Sequence, residues 1–196
     1  MSSKPADTRE RILEAAETLL RRHGLAKTTV LDVARALGMS HGNVYRHFDS
    51  KAALRAAVAE RWLKSISDPL EAFAVKKGPA ADRLEGWALA LAAAKRRKVH
   101  SDPEMFAAYH ALAEESEEAV AHHVATMRRQ VEQIIRDGAA RGELNVKDPR
   151  AATSAFLDAT MRFHHPHLVQ AGPPASDKEI RTVVRLVLAG LRAGGV

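Results

Sequence analysis

The residues Gly38 to Gly42, with the sequence GMSHG, are of types that could form a nucleophilic site. They match the pattern G-x-S-x-G, in which a serine on a strained turn between a buried strand and a helix attacks a carbonyl carbon. The preceding residues, Val33 to Leu37, favour a helix instead, and strands and helices do not alternate along the chain. Ser40 and His41 are adjacent, so their side chains diverge and His41 is badly placed as a base for Ser40. We therefore predict that the protein is not an enzyme.

The same stretch fits a helix-turn-helix, a pair of short helices of which the second enters the major groove of DNA. Such a pair needs a small residue where the helices touch, a residue that tolerates positive φ in the turn, and an apolar anchor on the second helix. Ala34, Gly38 and Val44 supply these in order. The outer face then carries polar side chains suited to phosphates and base edges. They are Ser40, His41, Asn43, Tyr45 and His47.

Helix-start and helix-stop signals flank this pair and would hold it in place. Asp7 and Glu10 are spaced as a capping box at the start of a first helix, which Gly24 would end. A hydroxyl that can cap free backbone N–H groups precedes each of the next three helices. These caps are Thr28 or Thr29, Ser40 and Ser50, and the fourth helix runs from Lys51 to Ile66.

Beyond Ile66, proline and glycine divide the chain into longer helical segments. They are predicted at about 79–100, 103–112, 115–141, 148–168 and 176–193. Aromatic residues make up only 5% of the sequence, and no strand pattern is evident. The sequence thus predicts an all-α protein, with a three-helix helix-turn-helix domain at residues 1–50 and a larger helical domain at residues 51–196.

Basic residues are concentrated towards the N-terminal end of the chain. Residues 1–51 hold nine Lys and Arg and six Asp and Glu, a net charge of +3, whereas the other 145 residues hold 21 and 18, also +3. The positive charge per residue is therefore nearly three times higher around the helix-turn-helix. This distribution favours a polyanion as partner.

Composition also excludes several classes of site. The sequence has no cysteine, which excludes disulfides, thiolate zinc sites and cysteine nucleophiles. The N-terminal residues lack the apolar core of a signal peptide, and the most apolar stretch, Trp87 to Ala94, ends at Lys95. We expect a cytoplasmic protein with no membrane partner.

Two other groups of basic residues admit more than one role. The run Lys95 to Lys98, KRRK, could bind nucleic acid, but cations at the end of a helix stabilise its dipole, and we favour a solvated helix end. His164, His165 and His167 flank Pro166 and lack the residue pattern of a zinc site. We predict no metal and no cofactor. Contact with a small molecule and a structural role both stay open for these histidines.

The segment from Thr28 to Leu54, TTVLDVARALGMSHGNVYRHFDSKAAL, closely resembles the DNA-binding core of TetR-family transcriptional repressors. The features that carry the resemblance are a threonine-rich helix start, an alanine and a glycine around the turn, the aromatic pair Tyr45 and Phe48, and Lys51 opening the next helix. The resemblance implies a ligand-responsive regulator, with repression favoured over activation. A DNA-binding regulator or architectural protein without a small-molecule effector is the alternative.

The resemblance also implies which residues contact double-stranded DNA. Thr29 and Lys51 would hold phosphates, and Tyr45 and His47 would lie along the backbone or groove. Packing remains an alternative for Tyr45, as does plain solvation for Lys51. The residues that would approach bases are Ser40, His41, Gly42 and Asn43, and the full set comprises Thr28, Thr29, Ser40, His41, Gly42, Asn43, Tyr45, His47 and Lys51. The side chain of Asn43 could pair with adenine in bidentate fashion.

For the larger domain the resemblance implies an effector cavity among the middle helices and a homodimer formed by the last two. The residues predicted to contact the unknown small molecule combine apolar bulk with a few polar tips. They are Trp87, Leu91, Met105, Phe106, Tyr109, His110, Met127, Phe156 and His164. The dimer helices would be Pro149 to Leu168 and Ser176 to Ala193. Their stripes include Ala152, Ala155, Phe156, Ala159, Val183, Val187 and Leu191.

Overall fold

The computed structural model describes residues 5–101 and 103–194, and within these ranges it contains helices and no strand, which confirms the all-α prediction. The helices are α1 (Pro5–Lys27), α2 (Val30–Ala36), α3 (His41–Tyr45), α4 (Lys51–Ser67), α5 (Glu71–Val75), α6 (Ala80–Ser101), α7 (Pro103–Glu114), α8 (Glu117–Ala140), α9 (Pro149–Thr160), α10 (Pro166–Ala171) and α11 (Asp177–Ala193). Short 3-10 turns at Asp68–Leu70 and Met161–Phe163 connect α4 to α5 and follow α9. In the described ranges, none of the helices has the length and apolar content needed to cross a bilayer.

Three predicted helix caps are confirmed by hydrogen bonds. The Thr29 hydroxyl accepts from the Asp32 N–H at 3.2 Å, and the Ser40 hydroxyl accepts from the Asn43 N–H at 3.2 Å. The Ser50 hydroxyl accepts from the Ala53 N–H at 3.0 Å. Each bond satisfies a backbone donor that has no partner within its own helix, which explains why these helices begin where the sequence places them.

Other helix boundaries differ from the prediction. The first helix begins at Pro5, so Asp7 lies inside its first turn and the predicted cap position is wrong. Gly24 does interrupt this helix, with φ 74° and ψ 171°, but a further turn follows it to Lys27. The segment predicted as one helix at 148–168 is divided: α9 ends at Thr160, a 3-10 turn follows, and Pro166, which has no N–H to continue a helix, opens α10. The short helix α5 was not predicted.

Residues group into two compact units. The first contains the described residues up to Leu63 together with 103–121, and the second contains 64–101 and 122–194. Most of α4 belongs to the first unit, where Arg61 pairs with Glu10 at 2.5 Å and with Glu17 at 3.2 Å on α1. The compact units do not test the predicted boundary between two functional domains at residue 50, which stays a prediction.

The second unit is organised around buried side chains of α6, α8 and α11. Its largest fully buried residues include Trp87, Leu84, Leu91, Ile134, Ile135, Phe156 and Ile180. Buried polar groups connect the helices: Gln130, 0% exposed, accepts from Trp87 Nε1 at 3.0 Å and donates to the Ser67 carbonyl at 3.0 Å. Arg83, 3% exposed, donates to the Phe73 carbonyl at 2.9 Å and pairs with Asp137 at 3.0 Å.

The start of α6 and the end of α8 approach each other closely at Gly138. A Cβ added to Gly138 would lie 2.6 Å from the Cβ of Ala80 and 2.9 Å from a methyl group of Leu144. We expect Gly138→Ala to lower the free energy of unfolding by about 1–3 kcal/mol, because Ala80 Cβ cannot move without its helix. Urea unfolding followed by circular dichroism measures the change.

Gly42→Ala is the matched control for that substitution. Gly42 is also helical, but no heavy atom lies within 4 Å of an added Cβ. The higher helix propensity of alanine should keep its effect below about 1 kcal/mol. Equal stability of Gly138→Ala and wild type would contradict the close approach.

Candidate nucleic-acid interface and internal sites

The α2 and α3 pair has the interior and the turn that the sequence predicts. Val33, Ala34, Val44 and Phe48 are between 0% and 4% exposed. Gly38 has φ 62°, a left-handed conformation that glycine adopts at little cost. The N–H of Met39 donates to the Ala34 carbonyl at 3.0 Å, closing the end of α2. These features fix the direction in which α3 leaves the turn.

The predicted DNA-contacting residues lie in the first unit and most are accessible. Thr29, Ser40, His41, Gly42, Tyr45 and Lys51 are exposed, and Thr28, Asn43 and His47 are half-buried. The rings of His41 and Tyr45, one helical turn apart, meet edge to face with centroids 4.7 Å apart. This contact orders two of the side chains predicted to meet the nucleic acid.

Thr28 and Thr29 are engaged in local hydrogen bonds. The Thr28 hydroxyl donates to the Gly24 carbonyl at 2.9 Å. The Thr29 hydroxyl donates to Asp32 Oδ2 at 2.6 Å, and this bond, with a second from the Thr29 N–H, lowers the pKa of the Asp32 carboxyl. Contact between the Thr29 hydroxyl and a phosphate would therefore require that hydroxyl to rotate away from Asp32.

Ser40 has a local structural role in the fold. It follows the helix α2 and its turn, and its hydroxyl caps α3. A nucleophile elbow requires a strand before the serine, and the described part of the chain contains none. The geometry of Ser40 is thus that of a helix cap.

Two arginines near this surface were missed in the sequence analysis. The guanidinium of Arg9, on α1, lies 4.8 Å from the ring centroid of Phe48. Arg46, directly after α3, is exposed. No acidic residue occurs between Asp32 and Asp49. This absence of acidic residues around α3 is the sequence signal that could have drawn attention to Arg46, whereas Arg9 lies beside Glu10 and the sequence gives no such signal for it.

The residues predicted to contact an effector are divided between the two units. In the second unit Trp87, Leu91, Met127 and Phe156 are at most 7% exposed, and Trp87 and Phe156 meet edge to face at 6.2 Å. His164 of the same unit is half-buried. These apolar side chains belong to the packed core of their unit, and their contact with a ligand stays a prediction.

The other four predicted effector residues lie on α7 in the first unit. Met105, Phe106 and Tyr109 are buried, and His110 is half-buried. The ring of Tyr109 stacks on Trp62 of α4 with centroids 4.9 Å apart, and Phe106 meets Trp62 edge to face at 5.8 Å. This aromatic group holds α4 against α7 within the first unit.

A small pocket in the second unit is lined by other residues. Its cavity volume is about 20 Å³, room for about one water molecule. It is bordered by Ala92, Arg96, Arg162, Phe163 and Leu168, among others, and by none of the predicted effector residues. This pocket is too small in the present conformation for a drug-sized molecule.

The last helices present two kinds of surface. Ala152, Phe156 and Leu191 are at most 2% exposed inside the second unit, so the prediction that they lie in a dimer interface is wrong. Their burial reflects packing of α9 on α11. A second apolar stripe stays accessible: it consists of Val183 and Val187, both half-buried, with Leu186, which is 75% exposed, and the exposed Ala155 and Ala159.

The run Lys95 to Lys98 does not form a solvated helix end. The helix α6 continues to Ser101, and the Lys95 side chain is 3% exposed. Lys95 lies one turn after Leu91, on the face of α6 that packs inward. The prediction was wrong for Lys95 because charge alone does not indicate which face of a helix is buried.

Comparisons with known proteins follow the division of the sequence. Residues 12–58 match the model for bacterial regulatory proteins of the tetR family, and residues 80–184 match the model for the tetracyclin repressor-like C-terminal domain. The transcriptional regulator TtgR of Pseudomonas putida is 41% identical over 54 residues, which are 28% of this chain and 26% of that protein. The match therefore spans about a quarter of that relative.

Solved structures share the fold over nearly the whole chain. A TetR/AcrR-family regulator from Thermobifida fusca aligns with a TM-score of 0.60 at 23% identity, over 95% of this chain and 99% of that one. FadR from Bacillus subtilis, solved in complex with stearoyl-CoA, aligns with a TM-score of 0.61 at 16% identity, over 94% and 98%. Because the C-terminal model alone covers more than half of the sequence and the N-terminal model covers the helix-turn-helix, the chain belongs to the TetR family of bacterial regulatory proteins.

Proposed function

We propose that this protein is a homodimeric transcriptional repressor that binds a palindromic operator and releases it when a small-molecule effector binds. The observation that supports DNA binding most directly is the α2 and α3 pair. The apolar anchor Val44 of α3 is buried, while His41 and Tyr45 of the same helix and its cap Ser40 are exposed. The protein would act on bacterial DNA and therefore in the cytoplasm.

In this proposal α3 enters the major groove. Asn43 would pair with a base edge, and the exposed Lys51 and Arg46 would contact phosphates on either side. The lack of acidic residues between Asp32 and Asp49 removes a source of repulsion from the DNA backbone. Phosphate contacts would supply affinity, and the few base contacts of α3 would supply sequence preference.

The homodimer would form through the exposed stripe of α9 and α11. On α11, Val183 lies one turn before both Leu186 and Val187, and on α9 Ala155 lies one turn before Ala159. A two-fold axis through such a surface produces a four-helix bundle in which small alanines permit close approach. Operator binding by such a dimer would further require its two recognition helices to meet successive major-groove faces, about 34–36 Å apart.

Release of DNA would follow from linkage between effector binding and a conformational equilibrium of the protein. The effector must bind more tightly to a conformation whose recognition helices do not fit the operator, and a coupling of about 1–3 kcal/mol is enough for a modest switch. The helix α4 is continuous from Lys51 to Ser67 and contributes residues to both compact units. A shift of α4 is therefore the proposed route between effector and DNA.

A regulator without an effector is the second candidate, and one observation favours it. The predicted effector residues other than His110 and His164 are packed in cores, and the pocket beside Arg96 and Phe163 has a volume of only about 20 Å³. A screen of small molecules for release of an operator, itself selected from a random DNA pool, separates the two candidates. Release by any compound supports the first.

Substitutions at Asn43 and Lys51 test the DNA interface, using an operator selected from a random pool at fixed salt. We expect Asn43→Ala to lose about 1–3 kcal/mol of discrimination at one base pair of each half-site. Lys51→Met should weaken binding to all sequences and reduce the slope of log affinity against log salt by about one. Fluorescence anisotropy with labelled duplexes measures both.

Lys147→Met is the control for the loss of a charge. Lys147 is exposed and lies in the second unit, so its removal should leave both the slope and the sequence preference unchanged. Selection of no preferred sequence by the wild type would contradict the proposal of an operator-specific regulator.

Leu186→Glu tests the dimer surface. Leu186 is 75% exposed, so a carboxylate there should not disturb the fold of the protomer, but two-fold pairing would bury like charges together. We expect a monomer with native helix content and weak operator binding, measured by sedimentation velocity and anisotropy.

Val75→Glu provides the comparison for Leu186→Glu. Val75 is 71% exposed in the same unit, on α5 and outside the proposed stripe. This variant should stay dimeric. Dimers of unchanged strength in the Leu186→Glu variant would refute the proposed surface.

A further inference from the structure

A guanidinium group from the first helix lies beside the end of α3. The Cζ atom of Arg9, on α1, lies over the Phe48 ring at 4.8 Å from its centroid. The N–H of Phe48 donates to the Val44 carbonyl of α3 at 3.1 Å, and the Phe48 side chain is 4% exposed, so packing fixes the ring relative to α3. The face of an aromatic ring attracts a cation. The ring therefore holds the Arg9 guanidinium close to the helix predicted to enter the major groove.

The charge of Arg9 has no acidic partner in the part of the chain that the structure describes. Arg9 is exposed, and among the described residues its guanidinium forms neither an ion pair nor a hydrogen bond. Its neighbour Glu10 pairs instead with Arg61 of α4, at 2.5 Å. An arginine that rests on an aromatic face keeps its five N–H donors, which lie in the plane of the guanidinium. Arg9 can therefore stay on the ring and bind an anion at the same time.

The position of Arg9 on α1 directs its side chain towards the surface predicted to bind DNA. Ile12 and Leu13, one turn later, are 0% and 3% exposed, so Arg9 lies at the edge of the inward face of α1. The ring on which it rests comes three residues after Tyr45 and three before Lys51, and both of these are exposed. Arg9 thus adds a positive charge from α1 to the surface formed by α3 and the start of α4.

We propose that the Arg9 guanidinium contacts a phosphate of the DNA backbone beside α3, which adds α1 to the DNA interface. This inference rests on the proposed function, because it names a further contact of the same surface. A planar guanidinium matches the oxygens of a phosphate, and a contact with the backbone carries no sequence information. Arg9 therefore contributes affinity, whereas α3 determines which sequence is bound.

Arg9→Met removes the charge and keeps an apolar stem on the Phe48 ring. At about 0.1 M salt this variant should bind both the selected operator and an unrelated duplex about threefold to tenfold more weakly than the wild type. The slope of log affinity against log salt should fall by about one, and the preferred bases should stay the same. Fluorescence anisotropy with labelled duplexes measures both quantities, and circular dichroism checks that the helix content is unchanged.

Arg11→Met is the matched control on the same helix. Arg11 is also exposed, but it lies two residues after Arg9 and therefore about 200° around α1. Loss of its charge should leave the affinity within about twofold and the slope unchanged. Arg9→Lys keeps a cation without the planar donors, so it should keep the slope of the wild type and lose part of the affinity.

A scan of single neutral phosphates locates the contact. Each operator duplex carries one methylphosphonate, which removes one negative charge from the backbone. At one position in each half-site this change should weaken the wild type about threefold or more, but Arg9→Met by less than about twofold. The same position should still weaken Lys51→Met, because Lys51 is expected to hold a different phosphate.

The outcomes separate this inference from the proposed function. Wild-type affinity of Arg9→Met, equal losses in Arg9→Met and Arg11→Met, or a scan in which no phosphate depends on Arg9 would overturn the contact. A changed base preference in Arg9→Met would also overturn it, since that result indicates a base contact. Selection of an operator by the wild type would still support the repressor in all four cases.

Failure to select an operator would overturn the proposed function. The salt slopes measured with the unrelated duplex would then still decide whether Arg9 contacts a phosphate. A wild-type protein that binds no duplex at all would overturn both proposals.

Discussion

The DNA-facing part of this protein depends on the burial of Val44 in the α2 and α3 pair. A helix of five residues does not form by itself in water, because its nucleation cost exceeds the gain from its few hydrogen bonds. Val44 is 1% exposed and Ala34, in the preceding helix, is also 1% exposed. Their packing, with the left-handed turn at Gly38, is what makes α3 a rigid element. Every polar side chain on its outer face takes its direction from that constraint.

The second unit shows how buried polar groups differ in purpose. Gln130 and Arg83 are buried, and hydrogen bonds join them to carbonyls and side chains of neighbouring elements. Such satisfied groups rigidify a core. His123 is 6% exposed, and neither of its ring nitrogens has a hydrogen-bond partner. Stability alone would favour an apolar residue at such a position, because an unsatisfied buried polar group costs free energy.

The features that could be predicted from the sequence are those that depend on interactions between residues close together in the chain. Helix caps at Thr29, Ser40 and Ser50 involve residues three apart, and the turn at Gly38 involves one residue, so both are evident from spacing. Burial of Lys95 depends on which face of α6 meets other helices, and the run of basic residues around it points the other way. The orphaned imidazole of His123 likewise arises from tertiary packing, and a lone histidine in a helix gives no sign of it.

In the last two helices, too, the sequence does not show which apolar residues tertiary packing buries. This matters for how the protein would bind DNA. Their apolar residues form two stripes: Ile180, Val184, Leu188 and Leu191 face the core, whereas Val183, Leu186 and Val187 lie beside them and stay accessible. Both stripes consist of similar residue types, so only the three-dimensional structure shows which one is buried and which one is accessible. A single α3 offers few base contacts, and specific binding requires more sequence than one half-site supplies. A second protomer packed on the accessible stripe would cover Leu186. It would also add a second recognition helix, and with it the base contacts of a second half-site.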